Sequence, residues 1–238
     1  MLKIATKANI GCHPTAVPRG RGRVSLAWLI LHGENGAATL FERCDDVDNE
    51  PVSVQKPYDF VDSDDAADVE AKLLAAERFA LARWLPLLAR GDLATKDQEY
   101  DPATWYARCA PEDGWLNWLV VYDDLLRLIR ASAPPHPRAF TFCETHKILI
   151  LKAVSSDRRH AGVPGRILTV HADNGFKVQS GGGMVHVTNW QSDTGWTPRI
   201  RALLGYYAEA GAFDLRARLA QLEQKMFGLQ IMMESEAS

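Results

Sequence analysis

The 238-residue sequence has little cysteine and no large excess of charge of either sign. Its four cysteines are scattered, without any C-x-x-C pair, which argues against a disulfide scaffold and predicts free thiols in a reducing cytoplasm. The 27 Lys and Arg residues nearly balance the 30 Asp and Glu residues. Charge therefore gives no reason to expect a protein that binds nucleic acid or a membrane surface.

Long hydrophobic runs are also missing. No segment reaches the ~18 apolar residues of a membrane span, and the densest run, Trp115 to Ile129, is interrupted by Asn117, Asp123 and Asp124. The first residues contain two lysines but no apolar stretch typical of a secretory signal. Hydrophobic residues nevertheless make up 47% of the chain, enough for the core of one large domain or two small ones.

Residues 1–130 predict an α/β domain, because short apolar runs alternate with helical patterns. Ser25 to His32 suits either a two-turn helix or a buried strand, and Ala37 to Glu42 suits a strand.

A long helix is predicted from about Ala66 to Ala89, with Asp62 to Asp65 offering N-cap residues. Pro86 should kink this helix or end it early, and Gly91 is placed to stop it. Six residues about one turn apart form the expected buried stripe, namely Val69, Leu73, Ala76, Ala80, Trp84 and Leu88.

The best candidate linker is Ala131 to Arg138, where three prolines end the preceding helix Tyr122–Arg130. Residues 131–200 then predict a small OB-like barrel. Its five expected strands are Ala139–Cys143, Lys147–Lys152, Arg166–Ala172, Phe176–Gln179 and Met184–Trp190.

Residues 201–238 predict a helical tail, with a helix over Asp214 to Met233. Its apolar residues alternate spacings of four and three, as in a coiled-coil seam. They are Leu215, Leu219, Leu222, Met226, Leu229 and Met233. The helix either packs on its own domain or pairs with a second copy as a homodimer.

The segment from Gly11 to Val24 has the clearest chemical character. Its His13 is followed by two prolines, which stiffen a loop, and by glycines, which allow a ligand to approach the backbone. Asp48 follows thirty-five residues later. A histidine and an aspartate can form a proton-accepting pair, but a single histidine near a glycine is more often a surface or core residue without a catalytic role.

The string from His13, H-P-T-A-V-P-R-G-R-G-R-V-S-L-A-W, resembles the H-P-S-L-L-P-x-x-R-G-x-x-P-x-x-W signature of formyltransferases that use 10-formyltetrahydrofolate. Val47 to Gln55 is similar to the L-D-x-G-x-I-x-x-Q segment of that family, with Asp48 at its aspartate. Asp113 to Trp118 resembles its D-G-x-I-D-W turn, and Pro137 to Phe142 resembles its P-G-A-F-T-Y. The resemblance covers roughly residues 9 to 191.

This resemblance implies a partial Rossmann-like formyltransferase domain followed by the OB-like barrel and the C-terminal helix. It also implies transfer of a formyl group from 10-formyltetrahydrofolate to the amine of a small acceptor, and the Arg23-Val24 and Trp28 pattern is closest to enzymes that act on amino sugars. No basic run of the kind needed for tRNA is present, so transfer to initiator tRNA is not expected.

The resemblance also assigns roles to individual residues. His13 is the expected general base or oxyanion partner, and Asp48 is expected to orient it. The residues expected to contact the folate are Val47, Asp48 and Asn49. The alternating Arg19, Arg21 and Arg23 are candidates for binding a phosphate of the acceptor, with an exposed loop as the alternative. A metal is not expected, because the adjacent Cys12 and His13 have unsuitable spacing for zinc.

Two departures from the family pattern leave other functions open. The family has Asn two residues before its His, where this chain has Gly11, and Asn9 would substitute only in a rearranged loop. The matching motifs also begin at the fourth or fifth strand of the catalytic domain. The chain is therefore an enzyme, a silent homologue that binds a ligand or partner, or one part of a split enzyme.

Overall fold

The computed structural model describes residues 9–23, 25–42, 50–157, 159–205, 215 and 218–227, which form two main β-sheets with helices packed beside them. In chain order the elements are β1 (Ile10–His13), β2 (Arg21–Gly22), α1 (Ser25–His32), β3 (Gly36–Glu42), β4 (Val52–Tyr58), α2 (Ala66–Arg90), β5 (Trp105–Tyr106), a 3₁₀ turn (Pro111–Gly114), α3 (Tyr122–Ala131), β6 (Ala139–Cys143), β7 (His146–Asp157), β8 (Ile167–Val170), β9 (Phe176–Ser180) and β10 (Gly183–Gln191).

The first sheet has the strand order β1-β3-β4, and both of its strand pairs are antiparallel. The parallel sheet of a Rossmann-like domain is therefore not seen among the described residues. Two of their strands, β2 and β5, do pair in parallel, but over only two residues each. Ser25 to His32 forms a helix rather than a strand. The strand expected over Ala37 to Glu42 is confirmed as the central strand, β3.

Helix α2 covers one side of this sheet, packing on β3 and β4. Asp65 caps its N-terminus by accepting hydrogen bonds from two backbone N–H groups, and Gly91 ends it in the left-handed conformation. The expected stripe is confirmed: Val69, Ala76, Ala80 and Trp84 are buried, and Leu73 and Leu88 pack beside them. The early end expected at Pro86 is wrong, because Pro86 lies on the exposed side and the helix continues to Arg90.

The second sheet is fully antiparallel, with the order β6-β7-β10-β9-β8. Its five strands match the five expected ones, although β7 is longer and β8 shorter than expected. Its edge strands β6 and β8 do not pair with each other in the described part of the chain, so a closed OB-like barrel is not shown. Residues 201–205 instead lie between these edges, because Ile167 donates to the carbonyl of Ala202 and Gly205 donates to that of Phe142.

Helix α3 connects the two regions. Leu125 and Ile129 pack into the core of the second sheet, while Ala131 and Ala133 pack against α1 in the core of the first. The beginning of the expected linker is thus buried rather than exposed. The proline segment that follows, Pro134 to Pro137, is largely exposed.

Residues 218–227 are helical, as the sequence predicts. Their apolar seam is exposed to solvent, with Leu219 60% and Met226 69% exposed, so packing on the chain's own domain is not what the structure shows. Leu229 and Met233 of the same seam lie outside the described residues. Among the helices that the structure describes, none is both long enough and apolar enough to cross a membrane.

Candidate functional site

His13 is the last residue of β1, and its side chain is buried, with 7% exposed. The imidazole Nε2 lies 2.9 Å from the carbonyl oxygen of Gly20. Because a carbonyl oxygen can only accept a hydrogen bond, Nε2 carries a proton, and in the neutral ring Nδ1 holds the basic lone pair. The backbone around His13 therefore selects the nitrogen that can accept a proton.

A set of hydrogen bonds fixes the loop that supplies this carbonyl. Gly20 adopts φ +71°, a conformation that favours glycine, and its N–H donates to Thr104 Oγ1 at 2.8 Å. The Thr15 hydroxyl donates to the Arg19 carbonyl at 2.8 Å and lies 3.1 Å from the Gly20 carbonyl, and the Thr39 hydroxyl donates to the Thr15 carbonyl at 2.7 Å. The position of the His13 ring thus depends on β3 and on the segment before β5.

Strand β4 holds the same loop from another side. The Tyr58 hydroxyl donates to the carbonyl of Pro14 at 2.9 Å, and Gln55 Nε2 donates to the carbonyl of Val17 at 2.7 Å. Burial, and to a lesser degree the neighbouring Cys12, raises the pKa of Tyr58, so its hydroxyl remains a donor across the physiological pH range. The Gln of the family-like Val47–Gln55 segment therefore positions the His13 loop.

Ser25 places a hydroxyl beside His13. It is the first residue of α1, and its Oγ lies 3.3 Å from His13 Nε2 and 3.3 Å from the carbonyl oxygen of Gly22. Since the Gly22 carbonyl can only accept, the hydroxyl donates there and presents a lone pair to the Nε2–H of His13. The family pattern has proline at this position, and that departure could have pointed to Ser25, which the sequence-based prediction of the site missed.

The three loop arginines occupy different environments. Arg21 is buried: its Nε and Nη2 donate to Gln98 Oε1 at 3.2 and 2.8 Å, and its guanidinium lies 5.4 Å from the ring centroid of Trp105. Arg19 and Arg23 are exposed. The binding of acceptor phosphate by these three residues stays a prediction, and the exposed pair is better placed for it.

Gln98 and Glu50 belong to the same polar network but carried no signal in the sequence. Gln98 Nε2 donates to the backbone carbonyl of Glu50 at 2.8 Å, which connects Arg21 to that position. The Glu50 side chain is 2% exposed, and its Oε2 has no hydrogen-bond partner in the described structure. A buried carboxylate with an unpaired oxygen is uncommon, and it places an acidic group beside the network.

The structure does not bring Asn9 to His13. β1 is regular from Ile10 onward, so His13 lies four positions along an extended backbone from Asn9, a distance of roughly 13 Å. Gly11 lies between them on the same face, and a Cβ atom there would overlap the ring of Phe41. Phe41 thus occupies the space that a side chain at position 11 would need.

Val47, Asp48 and Asn49 lie outside the described residues, so the pairing of Asp48 with His13 and the folate contacts stay predictions. Two large cavities, of about 640 and 600 Å³, are lined by other residues than His13. In the part of the chain that the structure describes, no three His, Cys, Asp or Glu side chains converge in a way that could hold a metal ion.

Comparison with protein families finds a match in the second half of the chain. Residues 108–206 match the profile of the formyl transferase C-terminal domain. The match begins just before the 3₁₀ turn and includes residues 201–205, which lie between the edge strands of the second sheet. This match places α3 and all five strands of the second sheet in one known domain.

Solved structures extend the similarity into the first half. HypX from Aquifex aeolicus, in complex with tetrahydrofolic acid, superposes with a TM-score of 0.65 at 21% identity, over 78% of this chain and 32% of HypX. An N-formyltransferase from Helicobacter canadensis, with folinic acid and dTDP-3-aminofucose, gives 0.61 at 14% identity, over 76% of this chain and 66% of the enzyme. Methionyl-tRNA formyltransferase from Clostridium thermocellum gives 0.53 at 20% identity, over 63% and 64%.

The chain therefore spans about a third of the length of HypX and somewhat under two thirds of the two other enzymes. At these identities the superpositions show a shared fold, and the sequence match shows the family of the second half. Residues 108–206 belong to the formyl transferase C-terminal domain family, and about three quarters of the chain shares its fold with parts of HypX and of the N-formyltransferase.

Proposed function

We propose that this protein is an N-formyltransferase that moves a formyl group from 10-formyltetrahydrofolate to the amine of a small acceptor. The observation that carries the proposal is the buried His13, whose Nε2–H is held by Gly20 so that Nδ1 can accept a proton. This histidine lies in the family-like motif of a chain with a formyltransferase fold.

The chemistry assigns one proton transfer to His13. The neutral amine attacks the formyl carbon, and Nδ1 takes a proton from the attacking nitrogen as the tetrahedral intermediate forms. The bond from that carbon to N10 of the folate then breaks, and the imidazolium returns the proton to N10. Asp48, as the proposed partner, would favour the imidazolium through its negative charge.

We propose an amino sugar as the acceptor, with Arg19 and Arg23 binding its phosphate if it is carried on a nucleotide. Arg21 keeps the loop in place through Gln98. For the donor, Val47, Asp48 and Asn49 remain the proposed contacts. The unpaired thiols of Cys12, Cys109 and Cys143 suit the reducing cytoplasm that we propose as the location.

The position of Phe41 favours a second candidate, a catalytically silent homologue. It fills the space that a side chain at position 11 would need, where the family pattern has Asn, and the loss of one oxyanion donor lowers rates by about 10²–10³ in other enzymes. A third candidate is one part of a split enzyme that a second chain would complete.

Calorimetric titration of the full chain with 5-formyltetrahydrofolate separates these candidates. Micromolar binding that is weakened in Asp48→Asn, but not in the exposed control Asp92→Asn, supports the formyltransferase. Binding that requires an added N-terminal formyltransferase fragment supports the split enzyme. If neither condition gives binding, the proposed function is wrong and the silent homologue is supported.

We further propose that the chain forms a parallel homodimer through its C-terminal helix. The large apolar side chains of the seam, Leu215, Leu219, Leu222 and Met226, are 59–69% exposed. In a parallel pair, a residue at position g lies beside position e of the next heptad in the partner. With this seam those positions are held by Arg218 and Glu223, which have opposite charges.

Light scattering after size exclusion tests the dimer. We expect twice the chain mass for the unmodified protein and a monomer for Leu222→Asp. Arg218→Glu should weaken the dimer, and its combination with Glu223→Arg should restore it. A monomer at all accessible concentrations would refute the dimer without affecting the proposed activity.

A further inference from the structure

Two histidines of the second sheet meet on its outer face. His171 follows β8, and His186 lies in β10, with β9 between them. Their ring centroids are 4.7 Å apart, with an interplanar angle of 41°. The sequence contains no pattern that links these two residues, and the topology alone makes them neighbours.

Gly175 allows this contact across the intervening strand. His171 donates its backbone N–H to the carbonyl of Gly175, which holds the glycine close to this pair. A Cβ atom on Gly175 would stand 3.1 Å from His186 Nε2, 3.0 Å from Asp173 Oδ1 and 3.2 Å from the Val187 carbonyl oxygen. The missing side chain thus leaves a small hollow bordered by one nitrogen and two oxygen atoms.

The nitrogen atoms of this pair lack partners. Nε2 of His171 and Nε2 of His186 are both buried, and neither makes a hydrogen bond in the described structure. Buried polar atoms in proteins are nearly always paired, so two unpaired imidazole nitrogens in adjacent rings point to a bound ion or ligand there. A direct hydrogen bond between the rings is not formed, although it would satisfy both atoms.

We propose that His171 and His186 bind a divalent transition-metal ion of the zinc class through their Nε2 atoms. Neutral imidazole nitrogen is a preferred ligand of Zn²⁺, Cu²⁺ and Ni²⁺. The Asp173 carboxylate at the border of the hollow adds negative charge close to the ion. Only two imidazoles converge, so water completes the coordination, and this site is more open than a structural zinc site.

The surroundings of His186 favour the neutral form of its imidazole. Burial, then the neighbouring His171 and Lys177, lower the pKa of His186, and Asp173 opposes them only partly. His186 is therefore unprotonated at neutral pH, as a metal ligand must be. None of these residues belongs to the His13 site, so the proposal stands independently of formyl transfer.

Calorimetric titration of the chelator-treated full chain with Zn²⁺ at pH 7.5 tests the site. We expect one ion per chain, with His171→Gln and His186→Gln each weakening binding at least about tenfold. His160→Gln is the matched control, because His160 is exposed and its side chain makes no contact with the pair, and it should bind like the unmodified protein.

Gly175→Ala provides a second variant. Its backbone is not in the left-handed region, so alanine is not strained by the backbone conformation, and the added methyl group, 3.0–3.2 Å from its three neighbours, fills the hollow beside His186. We expect it to lose Zn²⁺ binding while circular dichroism shows the native sheet. Absence of Zn²⁺ binding by the unmodified chain, or binding that none of these three substitutions weakens, would overturn the proposal.

Discussion

The region around His13 and the second sheet differ in the contacts that stabilise them. The first region, residues 9–106, buries several polar side chains, and these hold an irregular loop in one conformation. The second region, residues 108–205, builds its core from regular strands with apolar side chains on one face, and the polar side chains that it buries lie at the end of α3 or within strands, namely Ser132, Thr141, Gln179 and Ser180. The buried polar side chains of the first region are His13, Thr15, Arg21, Ser25, Thr39 and Glu50.

The two regions are also supported by different comparisons. The family profile matches the second region, whereas the superposition with HypX covers 78% of the chain and so extends into the first. The chemistry of the first region rests on a few contacts, such as that between His13 and Gly20, which a short motif indicates but does not prove. The motif and the family match therefore support the same conclusion from different parts of the chain.

The largest stability effect should separate the two regions. Trp84→Ala removes a fully buried side chain that packs with Leu40 of β3 in the first region. Phe176→Ala removes a fully buried side chain from the core of the second sheet. We expect each to cost about 3–5 kcal/mol in urea unfolding. Hydrogen exchange should then increase mainly in β1 and β3 for Trp84→Ala, and in β7 to β10 for Phe176→Ala. Equal increases of exchange in both regions for either variant would show that the two regions unfold as one cooperative unit, which would contradict their separate stabilisation.

A smaller effect is expected from restoring the family motif with Gly11→Asn. The new side chain would overlap the Phe41 ring, so the free energy of unfolding should fall by about 1–3 kcal/mol. In Phe41→Ala the same substitution should cost less, which a double-mutant cycle measures. If Gly11→Asn is neutral in the unmodified background, Phe41 does not exclude the Asn as the structure indicates.

Tyr58→Phe should have a modest effect, because it removes one hydroxyl and keeps the packed ring. The lost hydrogen bond to the Pro14 carbonyl should lower the free energy of unfolding by about 0.5–1.5 kcal/mol. Tyr100→Phe is the control, since Tyr100 is 73% exposed and should change nothing measurable. Equal stability of the two variants would remove Tyr58 from the set that fixes the loop.

Much of the architecture followed from the sequence. The stripe from Val69 to Leu88 predicted α2, Gly91 marked its end, and turn residues marked the five strands of the second sheet. Such features depend on local periodicity and on the conformations that single residues favour. The early end predicted at Pro86 is wrong because the helix continues to Arg90, and the kink, the other outcome predicted there, stays a prediction.

The candidate site was less predictable. His13 followed from its motif, but Gln98, Thr104 and Glu50 come from segments without any recognisable pattern, and only the fold brings them near the loop. The burial of Arg21, unlike Arg19 and Arg23, depends on Trp105 and Gln98 more than seventy residues away. Contacts between distant segments are not encoded in local periodicity, so a single sequence does not reveal them.

The smallest effect concerns acid stability in the second region. The pKa of His186 is lowered below its ordinary 6.5, chiefly by burial, so the unfolded chain binds a proton before the folded one does. Stability should therefore decline as the pH falls below about 6.5 and stop declining from this group below the lowered pKa. In metal-free protein, His186→Gln should reduce this decline between pH 7 and 5 in urea titrations, and an unchanged slope would contradict the lowered pKa.

The most direct measurement is the rate of formyl transfer from 10-formyltetrahydrofolate to a nucleotide-linked amino sugar, followed by mass spectrometry. The account predicts transfer by the unmodified chain, equal transfer by the exposed control His160→Gln, and a loss of about 10²–10⁴-fold in His13→Gln with the fold intact. Transfer by His13→Gln at the unmodified rate would contradict it.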